Sequence, residues 1–271
     1  MIATGGPRNS TPGTLNQLFL DAVAKFRRPD ALQVKRNGRY EPISHEVLAD
    51  RVRHAALGLA ELGVHSGDRV AILSENRPEW AIADYACLMN GVTDVPVYPN
   101  LPSEQIAYIL QDSGAVAIFV SNAEQAAKIT PIRGECPALR HVITFAESDA
   151  NADMSLADVE ARGSAVDDEP RRVAYRTLAL AVRPGDLATL IYTSGTTGAP
   201  KGVMLTHDNI YSNVIAGAAA IPFAGHDVCL SFLPLSHIFE RMGGHYLMFH
   251  TGTSIAYAES VDAVPFNMSE V

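Results

Sequence analysis

The stretch Leu190-Ile191-Tyr192-Thr193-Ser194-Gly195-Thr196-Thr197-Gly198-Ala199-Pro200-Lys201-Gly202-Val203-Met204-Leu205-Thr206-His207 decides how the rest of the chain is read. An apolar strand over residues 188–192 runs into seven small or hydroxyl-bearing residues, and a second extended segment, residues 203–206, follows. His207, Asp208 and Asn209 then read as the cap of a helix reaching about Ala220. Gly195 and Gly198 let the backbone bend and come close to a ligand. Successive backbone N–H groups in such a turn form a concavity for an anion. The hydroxyls of Thr193, Ser194, Thr196 and Thr197 can donate to phosphate oxygens or ligate a hard cation. Lys201 adds a positive charge, worth on the order of 4 kcal/mol against a unit negative charge at contact near a protein surface. This combination suits a polyphosphate better than it suits a plain surface turn.

Neither of two common phosphate-binding motifs fits. The Walker loop requires Lys after its second glycine and a helix after that. Here Pro200 stands five residues after Gly195, and a strand follows Lys201. The dinucleotide fingerprint requires G-x-G, which occurs nowhere in the chain. A zinc-protease H-E-x-x-H is also excluded, since His45-Glu46 is followed by Ala49.

Working outward, helical and extended segments alternate. Residues 44–62 place Val47, Leu48, Val52, Ala55, Ala56, Leu59 and Leu62 on one helical face, with Ser44 as cap and Gly63 as stop. Residues 69–73 read as a buried strand. A helix over residues 80–90 follows, with Asn76 as its expected cap ahead of Pro78. Residues 92–98 are extended, and Pro96 argues for a sheet edge or a strand end. Pro102 and Ser103 open a helix that closes at Ser113-Gly114; residues 115–120 and 141–145 are strands. Such alternation implies βαβ units, an α/β class and mainly parallel sheets. Residues 151–183, polar and charged, read as a solvated connector, with an acidic binding patch as the alternative. No internal repeat is visible.

Composition narrows the class. The chain has 271 residues, 47% apolar and 19% charged, with a formal net charge of -9. That is ordinary for a globular protein, and without a basic stripe it gives no sign of a nucleic-acid partner. Cys87, Cys136 and Cys229 form no C-x-x-C pair, which suits a reducing, cytoplasmic setting. Residues 1–14, rich in Gly, Pro, Ser and Thr, read as a flexible lead-in without the apolar core of a signal peptide. The most apolar stretch, residues 214–223, is too short to span a bilayer, while peripheral membrane contact stays open.

The segment Tyr192 through Gly202 resembles the phosphate-loop signature of the adenylate-forming, AMP-binding superfamily. Phe232-Leu233-Pro234-Leu235-Ser236-His237-Ile238-Phe239-Glu240-Arg241 resembles the second core motif of its long-chain fatty acid–CoA ligase branch. Ser74-Glu75-Asn76-Arg77-Pro78-Glu79-Trp80, Val97-Tyr98-Pro99 and Leu101-Pro102 resemble the same branch, so the similarity runs from about Leu18 to Val271.

The resemblance implies that residues 15–271 are part of an N-terminal AMP-binding domain. The rest of that domain and a C-terminal domain would lie beyond Val271. It implies activation of a long-chain fatty acid with ATP, Mg²⁺ and coenzyme A, first to acyl adenylate and then to acyl-CoA. Thr193 would help hold Mg²⁺. Ser194, Gly195, Thr196, Thr197, Gly198 and Lys201 would cradle the β- and γ-phosphates. His237, which chemistry alone would read as a core histidine, would orient the acid and the α-phosphate. The helix from His237 to about Phe249 would border the acyl channel, where Gly243 and Gly244 either leave space or serve close packing. His245 and His250 read as structural. Because the adenine, ribose and catalytic-lysine segments would lie further on, the chain by itself is expected not to turn over. A nucleotide-binding remnant without catalysis, or a ligase for another carboxylic acid, are the competing readings. Oligomeric state and acyl length are not encoded in these motifs.

Overall fold

The computed structural model describes residues 11–193 and 200–271. The chain opens with α1 (Leu15–Phe26), capped by Thr14, whose hydroxyl accepts from the Gln17 N–H. A hairpin follows, β1 (Leu32–Arg36) and β2 (Arg39–Ile43), turned by Asn37 and Gly38, both at positive φ. Asn-Gly is the sequence signal of that turn type. Then come α2 (His45–Glu61), β3 (Arg69–Leu73), α3 (Pro78–Met89), β4 (Thr93–Val97), α4 (Ser103–Ser113), β5 (Ala117–Val120), α5 (Ala123–Ile129), a 3-10 turn (Thr130–Glu135) and β6 (His141–Thr144). Next are β7 (Met154–Ser155), α6 (Leu156–Ala165), α7 (Glu169–Ala181), β8 (Leu187–Thr193), β9 (Lys201–Thr206) and α8 (His207–Ala220). The last elements are β10 (Val228–Ser231), α9 (Ile238–Glu240), a π-helical segment (Arg241–Tyr246), α10 (Leu247–Thr251), β11 (Ser254–Tyr257) and α11 (Val264–Asn267).

The expected α/β class with mainly parallel sheets holds. One sheet has the order β10-β11-β1-β2, and the other β7-β6-β5-β3-β4-β8-β9. The larger sheet is parallel except at the β8–β9 pair. Parallel sheets are covered on both faces, and the residues alternate accordingly. Val70, Ile72, Ala117 and Phe119 pack into one core with α3, whereas Ala71, Leu73, Ile118 and Val120 pack into another with α4. Every residue of α3 is buried.

Two expectations are corrected and one open choice is decided. Residues 151–183 are not a connector: they hold β7, α6 and α7. Ser155 and Asp158 form a reciprocal capping box at the start of α6, and Leu156 and Val159 join the main core. The polar residues that suggested solvation are largely tied up: Asp167 bonds Arg53, His54 and Arg172, and Glu160 bonds Arg51. Of the two readings of Pro96 the strand end holds and the sheet edge does not: it is the last but one residue of β4, which lies between β3 and β8. It is tolerated there because β4 and β8 register at Asp94 and Thr189 alone, so the missing N–H falls where that ladder has ended. Val47 is 49% exposed rather than on the packed face of α2.

Candidate active site

The ends of the phosphate-loop candidate are fixed by the β8–β9 ladder, whose last pair is Thr193 with Lys201. Directly opposed residues of an antiparallel pair project to the same face, so these two side chains share a side; both are exposed. The preceding pair, Tyr192 with Gly202, explains a glycine. A Cβ there would lie 3.2 Å from Tyr192 Cζ. The Tyr192 hydroxyl in turn donates to Asp112 at 2.6 Å, holding the strand end against α4. Ser194, Gly195, Thr196, Thr197 and Gly198 lie outside the described residues.

Thr193, Pro200 and His237 line one cavity of about 490 Å³, with Tyr98, Asn100 and Leu101 from the chain after β4. Lys201, next in the chain after Pro200, is not part of that lining. His237 is exposed, not a core residue. It caps α9, and its Nδ1 accepts from the Phe239 N–H at 3.2 Å. An N–H can only donate, so Nδ1 is unprotonated in this arrangement, and Nε2 carries the hydrogen of the neutral ring. The imidazole thereby offers one donor.

A second cavity of about 680 Å³ shares Ile191, Thr193 and Ile238 with the first. Val203, Leu205, Ile210, Phe239 and Met242 make it largely apolar. Gly243 and Gly244 differ in what they allow. A Cβ on Gly243 would meet nothing within 4 Å, whereas on Gly244 it would lie 2.4 Å from the Glu240 carboxylate.

The two motifs that resembled the same branch are joined in space. Asn76 donates to Ser231 Oγ and the Leu233 carbonyl and accepts from the Leu235 N–H, which pins the turn before His237. It is therefore not the cap of α3; Arg77 holds that place without a side-chain bond. Thr206, rather than His207 or Asp208, caps α8, with Asn209 closing a capping box. His207 Nδ1 accepts from the Leu15 N–H, and burial pushes its pKa down to about 4. His245 is buried against Tyr85 and Trp80, 3.6 Å from Asp84, and His250 is half-buried.

Sequence reasoning missed the cluster behind His237. Arg241 is fully buried and hydrogen-bonds both Asp84 and Asp94. It also donates to Thr189 Oγ1 at 2.8 Å and to the Tyr246 hydroxyl at 3.0 Å. Burial, reinforced by the charge of Asp84 and opposed by Arg241, pushes Asp94 up to about 7. Burial also acts to raise Asp84, but Arg241 and His245 carry it below the ordinary range. The signal that could have found this cluster was two aspartates, Asp84 and Asp94, inside otherwise apolar elements.

Asp94 should make stability pH-dependent. Its folded pKa exceeds the unfolded value, so the folded state binds the extra proton. That contribution is full below about pH 4 and lost as pH rises through about 7. His207 acts with the opposite sign between about pH 4 and 6.5, because its folded pKa is depressed. Urea unfolding across pH 4.5–7 is expected to show stability rising more steeply with pH in Asp94→Asn than in the native chain. The difference is expected to be about 1 kcal/mol per pH unit. Parallel profiles would show that Asp94 is ionised throughout.

The family model described as AMP-binding enzyme matches residues 20–269. The chain is 38% identical over 227 residues to the long-chain-fatty-acid–CoA ligase FadD15 of Mycobacterium bovis, covering 83% of this chain and 36% of that protein. It is 31% identical over 252 residues to the ligase ACSBG2 of Xenopus laevis, covering 92% and 34%. The chain thus spans about a third of these relatives' length. The N-terminal domain of FACL13 from Mycobacterium tuberculosis superposes with a TM-score of 0.77 at 25% identity, covering 93% of this chain and 59% of that one. The anthranilate CoA ligase AuaEII, solved with anthranoyl-AMP, superposes with a TM-score of 0.78 at 21% identity, covering 99% and 48%.

Proposed function

The chain belongs to the AMP-binding enzyme family, and from that premise we propose that it supplies the phosphate-holding and acid-orienting part of an ATP-dependent long-chain fatty acid–CoA ligase. One observation carries the reading: Thr193, Pro200 and His237 share a cavity that has Ile191, Thr193 and Ile238 in common with an apolar one. FadD15 and ACSBG2 are named as long-chain ligases, and AuaEII was solved with an acyl adenylate, anthranoyl-AMP.

In this reading a fatty carboxylate oxygen attacks the α-phosphorus of ATP, and pyrophosphate leaves with the electrons of the broken P–O bond. The coenzyme A thiol then attacks the acyl carbon of the adenylate and AMP departs. Phosphoryl chemistry of this kind depends on positioning and charge neutralisation. Thr193 and Lys201, on one face of the hairpin mouth, hold the β- and γ-phosphate end together with Ser194, Gly195, Thr196, Thr197 and Gly198. His237 Nε2–H donates to oxygen where negative charge develops, a role worth roughly 10²–10³ in rate for a comparable donor. The acyl chain lies along Val203, Leu205, Phe239 and Met242; a cavity of about 680 Å³ is within the usual range for such ligands.

No cluster of three or more His, Cys, Asp or Glu among the described residues could hold a metal by itself. The exposed Thr193 hydroxyl instead fits Mg²⁺ that arrives bound to phosphates, the common mode for this ion. The ion would neutralise charge on the phosphate oxygens, and Thr193 would supply one oxygen to it.

Calorimetric titration of the chain with magnesium tripolyphosphate tests the phosphate reading. Saturable binding is expected, weakened about tenfold by Lys201→Ala, which corresponds to about 1.4 kcal/mol. Absence of binding, or equal affinity in the variant, overturns it. The same preparation is expected to give no ATP–pyrophosphate exchange.

A further inference from the structure

We infer that Arg241 is a positioning residue, whose buried guanidinium ties together the three walls of the His237 cavity and fixes where the imidazole stands relative to the end of β8. The chemical consequence rests on the ligase reading; the geometry does not.

Each wall leads back to this one group. The first wall, Tyr98 to Leu101, continues β4, which carries Asp94. The second, ending at Thr193, is β8, which carries Thr189. The third begins at His237, whose carbonyl accepts from the Arg241 N–H at 3.1 Å. Asp94 and Thr189 are register partners where β4 meets β8, and their side chains are bonded at 2.8 Å. The guanidinium grips both residues and also Asp84 on α3, which packs against β4. From Thr189 to Thr193 is four strand residues, about 13 Å; from Arg241 to His237 is one helical turn. The clamp therefore sits one helical turn from His237 and on the same strand as Thr193.

The local backbone serves the same end. In an α-helix, residues five apart point to widely different sides. The π-helical segment Arg241–Tyr246 closes its turn at i→i+5 and brings both end residues to one side. There the Tyr246 hydroxyl accepts from Arg241 Nε and donates to Asp84 at 2.9 Å. The rings of Trp80 and Tyr246 flank the cation at 5.3 and 5.4 Å. An apolar trio of similar shape would pack this core about as stably, since burying a charged cluster costs heavily in desolvation. Apolar contacts, however, would leave the helix free to slide or rotate, whereas a planar fork with fixed donor directions does not.

The test reads the ring directly. His237 is labelled with ¹³C and ¹⁵N in the whole chain, its cross-peak is assigned by loss in His237→Gln, and variants are compared by NMR. Thr189→Val and Tyr246→Phe each delete one bond to the guanidinium while keeping shape, so both are expected to fold, as checked by circular dichroism melting. Both are expected to shift or broaden the His237 signal, and Thr189→Ser, which keeps the hydroxyl, to restore it. Asp167→Asn removes a comparable ion network between α2 and α7, away from the cavity, and is expected to leave the signal in place. Unchanged His237 signals in both folded hub variants overturn the inference. So does an equal change in Asp167→Asn, which would mark general loosening. No nucleotide is needed, so failure of the tripolyphosphate titration leaves this result standing.

Discussion

Replacing Arg241 with methionine is expected to lower the stability of the chain by about 3–5 kcal/mol, the cost of leaving buried charge without its partner. The cation is fully buried, and so are both carboxylates that it bonds. Without it, Asp84 must either stay ionised in an apolar interior or take up a proton that an ordinary carboxylate does not hold at neutral pH, and Asp94 loses the cation that opposes its protonation. Tyr246 and Thr189 lose their partner as well. Urea unfolding at pH 7 measures the loss. The diagnostic comparison is the triple variant Arg241→Met, Asp84→Asn, Asp94→Asn, in which no charge is left stranded. It is expected to recover more than half of the loss. A loss below about 1 kcal/mol in the single variant would mean that the cluster is hydrated and behaves like a surface ion pair.

Alanine at Gly163 is expected to cost about 3 kcal/mol, at the upper end of overpacking effects. In a solvent-facing helix the same change gains about 1 kcal/mol, so the sign is itself informative. Here α2 and α6 cross with glycine on both sides. A Cβ on Gly163 would lie 1.8 Å from the His54 carbonyl oxygen, and one on Gly58 would lie 2.0 Å from the Val159 carbonyl oxygen. The obstructing atoms are backbone and cannot rotate away. The helices would have to separate, opening the contacts that Leu156 and Val159 make in the core. Gly243→Ala provides the contrast: nothing lies within 4 Å of its added methyl group, and it is expected to be neutral or stabilising. Thermal melting of the two variants decides the matter, and a stabilised Gly163→Ala would mean that the crossing is looser than these distances.

What the sequence determined is local. The two strands on either side of Gly195 were legible because apolar runs act over a few neighbours, and β8 and β9 sit where they were expected. The alternation of strands with helices gave the parallel sheet, since period and capping residues such as Ser44 are properties of short windows. His237 entered through its motif alone; spacing and composition offered only a core histidine.

What the tertiary structure decided is which polar residues have partners. Residues 151–183 look solvated in isolation because Asp167 and Glu160 are charged, and their arginines, Arg53 and Arg51, lie more than a hundred positions earlier. Pro96 reads equally as an edge or a strand-end residue until the place where β4 parts from β8 is known. Asp84, Asp94 and Arg241 are separated by up to 157 positions and meet only in the packed core. Burial turns a charge from a solvent-facing default into a specific, directional bond, and burial is a property of the whole chain rather than of any window along it.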